Sequence, residues 1–315
     1  MTSRASVVGV LIAVEVVIVA VAVFVIGGSG WRAPGIFDGS FHHVAFAAEP
    51  LAPVDAGSTP QVTIDDEDSR VVLGLSADGK VHVRDLTSFR GNVFSQDGQV
   101  PQLQVTHSGD TVTIARPSQH VHLDFFMFGA SDRRIQVDVP RDARVTIVHC
   151  AGADVAHLAG AVNVYSQDGH ITLTDLSGPV DAHSDDGSIE AVALHGPSLS
   201  MQSADGHVSM RDVSVGALTA TTNDGHIEAS NLDFTGSNPV ANVHTDDGSV
   251  ELALASVNLT VNASTSDGSV TVNGSHIDSD DDSVSHTFRL GDGSGNLKVS
   301  SNDGSIHITT TNGAL

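Results

Sequence analysis

The stretch Val162-Asn-Val-Tyr-Ser-Gln-Asp-Gly-His-Ile-Thr-Leu173 is followed by Val180-Asp-Ala-His-Ser-Asp-Asp-Gly-Ser-Ile-Glu-Ala191, and the two share one pattern: alternating aliphatic residues, Ser-x-Asp-Gly, and alternating aliphatic residues again. Strict alternation over four or five residues marks a strand with one buried face. The tetrapeptide [Ser/Thr]-x-Asp-Gly occurs nine times, beginning at Ser76, Ser95, Ser166, Ser184, Ser203, Thr222, Thr245, Thr265 and Ser301. Its candidate structural turns are Asp78 and Gly79, Asp97 and Gly98, Asp168 and Gly169, Asp186 and Gly187, Asp205 and Gly206, Asp224 and Gly225, Asp247 and Gly248, Asp267 and Gly268, and Asp303 and Gly304.

From Asp168 to Asp267 the Asp positions step by 18, 19, 19, 23 and 20 residues, and the step to Asp303 is 36, or two periods of 18. One rung in that gap has lost its signature, and the gap contains an Asp-rich loop insertion. Two architectures fit the repeat. Each unit of about 19 residues is one coil of a parallel β-solenoid, with coils about 4.8 Å apart, or each Asp-Gly is a hairpin tip in an antiparallel meander or barrel. The solenoid explains more, because a hairpin fixes only its turn residues, whereas here the Ser or Thr two positions before Asp also repeats. Stacked hydroxyls and Gly-shaped corners account for that. Asp before Gly is explained by local hydrogen bonding and tolerance of left-handed φ. The expected fold is all-β, a parallel β-solenoid behind one N-terminal transmembrane α-helix.

The regular repeats span residues 161–315. Residues 61–160 read as irregular N-terminal coils and a cap, with Phe125-Phe-Met-Phe128 as the capping candidate. No matching cap follows the last coil, so the C-terminal coil is expected to present an open strand edge for self-association.

The run Val7 to Ile26 holds 20 residues that are apolar or Gly apart from Glu15, the length that spans a hydrocarbon core. It reads as an uncleaved transmembrane helix after a cytoplasmic stub at 1–6, placing the bulk of the chain outside the cytoplasm in a single-pass cell-membrane topology. Residues 27–60, rich in Pro and Gly, read as a stalk. Aromatics make up 4% of the chain, which suits thin repeated layers better than one thick core. The net charge of −24 leaves no footprint for a nucleic acid, and after position 160 the only basic residues are Arg211, Arg289 and Lys298.

Catalytic chemistry finds little support. Stacked carboxylates such as Asp186, Asp205 and Asp224 meet the spacing of a glycoside hydrolase by geometry alone, and the basic residue that lyase chemistry recruits is missing, so no catalytic residue and no cofactor is expected. Asp278, Asp280 and Asp282 have the 1, 3, 5 spacing of a calcium loop, but Ser283 stands where Gly belongs and Arg289 where Glu belongs, leaving them weak metal candidates. His170, His207 and His226 follow the turn Gly at positions filled by Ser elsewhere, and they read as a variable, solvent-facing position. Cys150 reads as a small buried hydrophobe.

The pattern x-Val-x-Val-x-Ser-x-Asp-Gly-x-Ile-x-Leu, preceded by Ile135-Gln-Val-Asp-Val-Pro-Arg-Asp-Ala-Arg-Val-Thr-Ile147, resembles the bacterial putative-adhesin family of β-strand-repeat proteins of unknown function, over residues 61 to 315. The resemblance implies a parallel β-helix tethered behind one membrane segment, and it carries over no functional residue. The function expected is that of a membrane-anchored, extracytoplasmic adhesin-like binding or structural protein that contacts cell-wall polymer, glycan or surface protein. The alternatives are a β-helix enzyme acting on polysaccharide and an envelope-stress sensor or scaffold.

Overall fold

A computed structural model describes residues 40–46, 50–95, 102–117, 126–255, 258–277 and 283–310. Val7 to Ile26 lies outside the described residues, and among the described residues no helix is long and apolar enough to cross a membrane. The regular elements are β-strands. The first nine are β1 (Ser40–Phe46), β2 (Gln61–Asp65), β3 (Arg70–Leu75), β4 (His82–Asp85), β5 (Ser88–Ser95), β6 (Gln104–Ser108), β7 (Thr111–Ala115), β8 (Phe126–Asp132) and β9 (Arg134–Val139). Next come β10 (Arg144–Cys150), β11 (Ala153–Ala156), β12 (Val162–Ser166), β13 (Ile171–Thr174), β14 (Val180–Ser184), β15 (Ile189–Val192), β16 (His195–Ser203), β17 (Val208–Thr222) and β18 (Ile227–Phe234). The last are β19 (Val240–Thr245), β20 (Val250–Leu254), β21 (Leu259–Thr265), β22 (Val270–Val272), β23 (Ser275–Ile277), β24 (Val284–Leu290), β25 (Gly295–Ser301) and β26 (Ile306–Thr310).

Two compact units are present. Strands β1, β5 and β8 form a three-stranded sheet in the order β1-β5-β8, with Phe126 to Phe128 at the start of β8 and Phe125 outside the described residues. The larger unit is a parallel solenoid. Val162, Val180, Leu199, Leu218, Ala241, Leu297 and Val261 form one in-register aliphatic column. Ile171, Ile189, Val208, Ile227, Val250, Ile306 and Val270 form another. Every one of these side chains is at most 3% exposed, and each contributes roughly 1.5–3 kcal/mol of burial where it is Val, Leu or Ile. Period-2 alternation puts these residues inside and leaves their neighbours outside, so that Asn163 and Tyr165 in β12 and Asp181 and His183 in β14 alternate with buried residues.

The layers do not stack in chain order. In space the series runs β7/β9, β2/β3, β10/β11, β12/β13, β14/β15, β16 with the start of β17, the end of β17 with β18, β19/β20, β25/β26 and finally β21/β22. The first and last coils of the chain therefore each occupy a penultimate layer. The expectation of an open C-terminal coil is corrected: β25 is paired by β19 on one side and β21 on the other. Its neighbour β26 lies likewise between β20 and β22. The 36-residue step to Asp303 is also not a rung that lost its signature. It holds β23 and β24, which run antiparallel to β22 and β21 and close the distal end. Antiparallel β4 and β6 close the proximal layer in the same way.

The stalk reading of residues 27–60 also needs correction at its end. Pro50 and Val54 bridge to Arg84 and Val81, and Ala56 is 5% exposed, so this Pro-containing segment covers the outer edge of β4. Proline serves there because an edge cover needs few ladder donors.

A buried ionic network joins the proximal excursions. Arg116 Nε donates to Asp66 Oδ2 at 2.8 Å, and its terminal nitrogen donates to Asp85 Oδ2 and Thr87 Oγ1, both at 3.1 Å. Ser69 Oγ donates to Asp66 Oδ2 at 2.9 Å, and Asp66 is only 4% exposed. Burial disfavours the Arg116 charge, but the two carboxylates more than offset it and hold the guanidinium above its ordinary range. Arg116→Met strands the Asp66 carboxylate in the interior. It is expected to lower the unfolding free energy by about 3–5 kcal/mol, read as a fall in the urea denaturation midpoint.

Candidate functional site

Seven of the nine signature turns lie at equivalent places on successive layers, where Ser166, Ser184, Ser203, Thr222, Thr245, Ser301 and Thr265 close the first strand and are at most 6% exposed. Three of these hydroxyls accept from the N–H of their own turn Gly: Ser166 from Gly169 at 3.2 Å, and Ser184 from Gly187 and Ser203 from Gly206, both at 2.9 Å. Ser166 donates to the Cys150 carbonyl, and the later hydroxyls donate to the turn Gly carbonyl of the neighbouring layer: Thr222 to Gly206, Thr245 to Gly225, Ser301 to Gly248 and Thr265 to Gly304, each at 2.9 Å.

Glycine is required by proximity. A Cβ on Gly225 would sit 2.1 Å from the Gly206 carbonyl oxygen, and one on Gly248 would sit 1.9 Å from that of Gly225. Among the described signature residues only Gly79 has positive φ, at 76°, so the left-handed explanation of the Asp-Gly pairs is corrected to one of backbone approach. The Asp side chains at 168, 186, 205, 224, 247, 267 and 303 are all exposed. Asp97 and Gly98 lie outside the described residues. Asp78 belongs to a different turn, by which the chain leaves the solenoid: its carboxylate faces His82 Nε2 at 2.7 Å and accepts from Lys80 N–H at 3.1 Å. The His82 contact, aided by that N–H, lowers the Asp78 pKa to about 2.

A second corner ladder was not read from the sequence. His157, Asp175, Ala193, Asp212, Asn231 and Asn273 all have φ between 47° and 64°. Asn and Asp tolerate that region best among residues with a Cβ, and their recurrence just after the second strand was the available signal. The ladder is stitched by Asn231 Nδ2 donating to Asp212 Oδ1 at 2.6 Å and by His157 Nδ1 facing Asp175 Oδ2 at 2.8 Å. The His157 contact holds the Asp175 carboxyl below its usual range.

The outer faces carry columns of polar side chains. His207 and His226 stack with ring centroids 5.2 Å apart, and His207 Nδ1 accepts the backbone N–H of His226 while His226 Nδ1 accepts that of Ser249, each at 3.1 Å. Those two nitrogens are thereby occupied as acceptors. Tyr165 stacks on His183 at 5.1 Å, and its hydroxyl donates to Asp185 Oδ2 at 2.8 Å, which raises the phenol pKa. Cys150 occupies the signature position beside Ser166, 1% exposed, and burial pushes its thiol up. Asp278, Asp280 and Asp282 lie outside the described residues, and among the described residues no group of three or more His, Cys, Asp or Glu could hold a metal ion. At the proximal end an open groove of about 670 Å³, lined by Pro50, Leu51, Pro53, Leu75 and Val83, holds Arg84 and Asp138 paired at 2.6 Å.

The signature hydroxyls are spent on holding layers together, and the outward columns are what remains for recognition. Gly225→Ala is expected to cost at least about 2 kcal/mol, whereas Asp224→Ala, one residue earlier and exposed, stays within about 0.5 kcal/mol. Thermal denaturation of the two variants side by side checks the contrast.

A family model described as Toastrack DUF4097 matches residues 61–312. No curated protein matches the chain. Among solved structures, the chain is similar to a "putative adhesin" from Bacteroides fragilis at 14% identity, covering 88% of this chain and 100% of that one with a TM-score of 0.38. It is similar to a "putative adhesin" from Parabacteroides distasonis at 11% identity, covering 87% and 98% with a TM-score of 0.39. A "putative lipid binding protein" from the same organism aligns at 12% identity, covering 84% and 97% with a TM-score of 0.44.

Proposed function

We propose that this chain, which belongs to the Toastrack DUF4097 family, is a membrane-anchored, extracytoplasmic adhesin-like protein with a binding or structural role and no enzymatic one. The observation that carries the reading is the columnar repetition of its outer side chains. On the sheet that begins each layer, Asn163, Asp181, Ser200, Thr219, Asn242, Lys298 and Asn262 occupy equivalent outward positions. Amides, hydroxyls, a carboxylate and an ammonium interchange there at a spacing of about 4.8 Å. A reaction centre needs a unique convergence of groups, while an extended series of equivalent donors and acceptors suits a partner that is itself extended. Cell-wall polymer, glycan and the backbone of a surface protein all have that character.

Anchoring rests on Val7 to Ile26, whose 20 residues match the thickness of a hydrocarbon core. The surface charge agrees with an extracellular, non-nucleic-acid partner, since three basic residues remain after position 160.

The purified full chain in detergent, incubated with a panel of immobilised cell-wall and capsular polysaccharides, is expected to be retained on at least one of them without releasing soluble sugar. Accumulation of oligosaccharide products would overturn the non-enzymatic reading.

A further inference from the structure

The strands of the ten parallel layers are paired on both sides, so among the described residues of the solenoid lateral recognition through the backbone falls to the four antiparallel end strands. Of these, β4 is covered by the segment carrying Pro50 and Val54. Strand β23 has 3 residues and β6 has 5. The longest is β24, with 7 residues, and among the described residues it pairs on one side only, with β21.

Natural edge strands are usually blunted by Pro, by inward-pointing charge or by a bulge. β24 reads Val284-Ser-His-Thr-Phe-Arg-Leu290 and pairs with β21 without a register shift. Its single charge, Arg289, is exposed, while Val284, Phe288 and Leu290 are 7%, 8% and 4% exposed on the inner face.

We propose that β24 is a homophilic docking edge, pairing antiparallel with β24 of a second copy across a two-fold axis at Thr287. The register follows from the sequence of the strand. With Thr287 opposite itself, Val284 faces Leu290 and His286 faces Phe288 on the inner side, so apolar meets apolar and ring meets ring. On the outer side Ser285 faces Arg289, and no like charges meet. Such cross-strand pairs stabilise a sheet, and an isologous contact closes at two copies. An unrelated peptide strand would share the backbone hydrogen bonds without this side-chain match.

The pairing joins two solenoids tip to tip, with their proximal ends facing away from the junction. Resting on the surface-protein reading above, that orientation links two surfaces that face each other. Each copy carries a net charge of −24, so the partners repel at long range and added salt strengthens the dimer. An interface built on ion pairs would respond in the opposite sense.

Sedimentation velocity of the full chain in detergent, over a range of protein and salt concentrations, tests the proposal together with Thr287→Lys and Thr287→Glu. The wild type is expected to form a dimer that tightens with salt. Each variant alone places like charges face to face and is expected to weaken the dimer at least about tenfold, while an equimolar mixture of the two recovers dimer as a heterodimer. Thr287 is exposed, so both variants are expected to keep the wild-type circular dichroism spectrum. A dimer indifferent to either substitution, a mixture that stays monomeric, a wild type that is monomeric throughout, or open-ended chains would each overturn the proposal. Retention of Thr287→Lys on polysaccharide is unaffected, which separates failure of this edge from failure of the binding reading.

Discussion

The whole solenoid depends on how closely two turn glycines approach across neighbouring layers. Where the Gly206 carbonyl leaves no room for a Cβ on Gly225, the Thr222 hydroxyl takes that same carbonyl as acceptor at 2.9 Å. The contact needs both residue types at once, and this explains why Ser or Thr and Gly recur three positions apart, whereas the residue just after the hydroxyl varies. It also locks the register: a slip of one residue would put a Cβ against a carbonyl and turn every aliphatic column toward solvent. With layers held in this way, thin aliphatic residues suffice for the core, and Val, Ile, Leu and Ala fill it with little need for aromatics.

Repetition creates a hazard at the ends, where a repeat strand has no successor. The chain meets it by laying its first and last coils in penultimate positions and turning back with antiparallel strands at both tips. β2/β3 is flanked by β7/β9 and β10/β11, and β25/β26 by β19/β20 and β21/β22. Neither coil can fray without disturbing layers on both sides. At the proximal end the buried Arg116 network ties the returning segments together. At the distal end the same device leaves β24 as the outermost strand.

Much of this was legible in the sequence, and the limits have physical causes. The alternation around Ser166 and Ser184 and the recurrence of the hydroxyl point to stacked parallel strands, because only in-register layers bring equivalent residues together. Vertical order was not legible. The segment 295–310 matches the columns of residues 240–254 and 259–272 equally well, so periodicity alone does not say which it joins. β24 misleads for a related reason: Val284, Phe288 and Leu290 alternate like a rung strand, and nothing in that pattern encodes its antiparallel direction. The left-handed corner at Asp175, Asp212 and Asn231 went unread because Ala193 and His157 interrupt an otherwise recognisable Asn/Asp series. Pro50 and Pro53 suggested a free stalk, although proline is as suitable for covering an edge.

In-register parallel stacking, with the last coil inserted beneath the one before it, is tested most directly by disulfide trapping in a Cys150→Ser background. Asn242 and Asn262 both lie opposite Lys298 in the ladder. The pair Asn242→Cys with Lys298→Cys is therefore predicted to crosslink on mild oxidation. The pair Asn242→Cys with Asn262→Cys, two layers or about 9.6 Å apart, is predicted not to, because a disulfide needs Cα atoms within about 7 Å. Crosslinking of 242 to 262 with none to 298 would mean that the coils stack in chain order and would contradict the account.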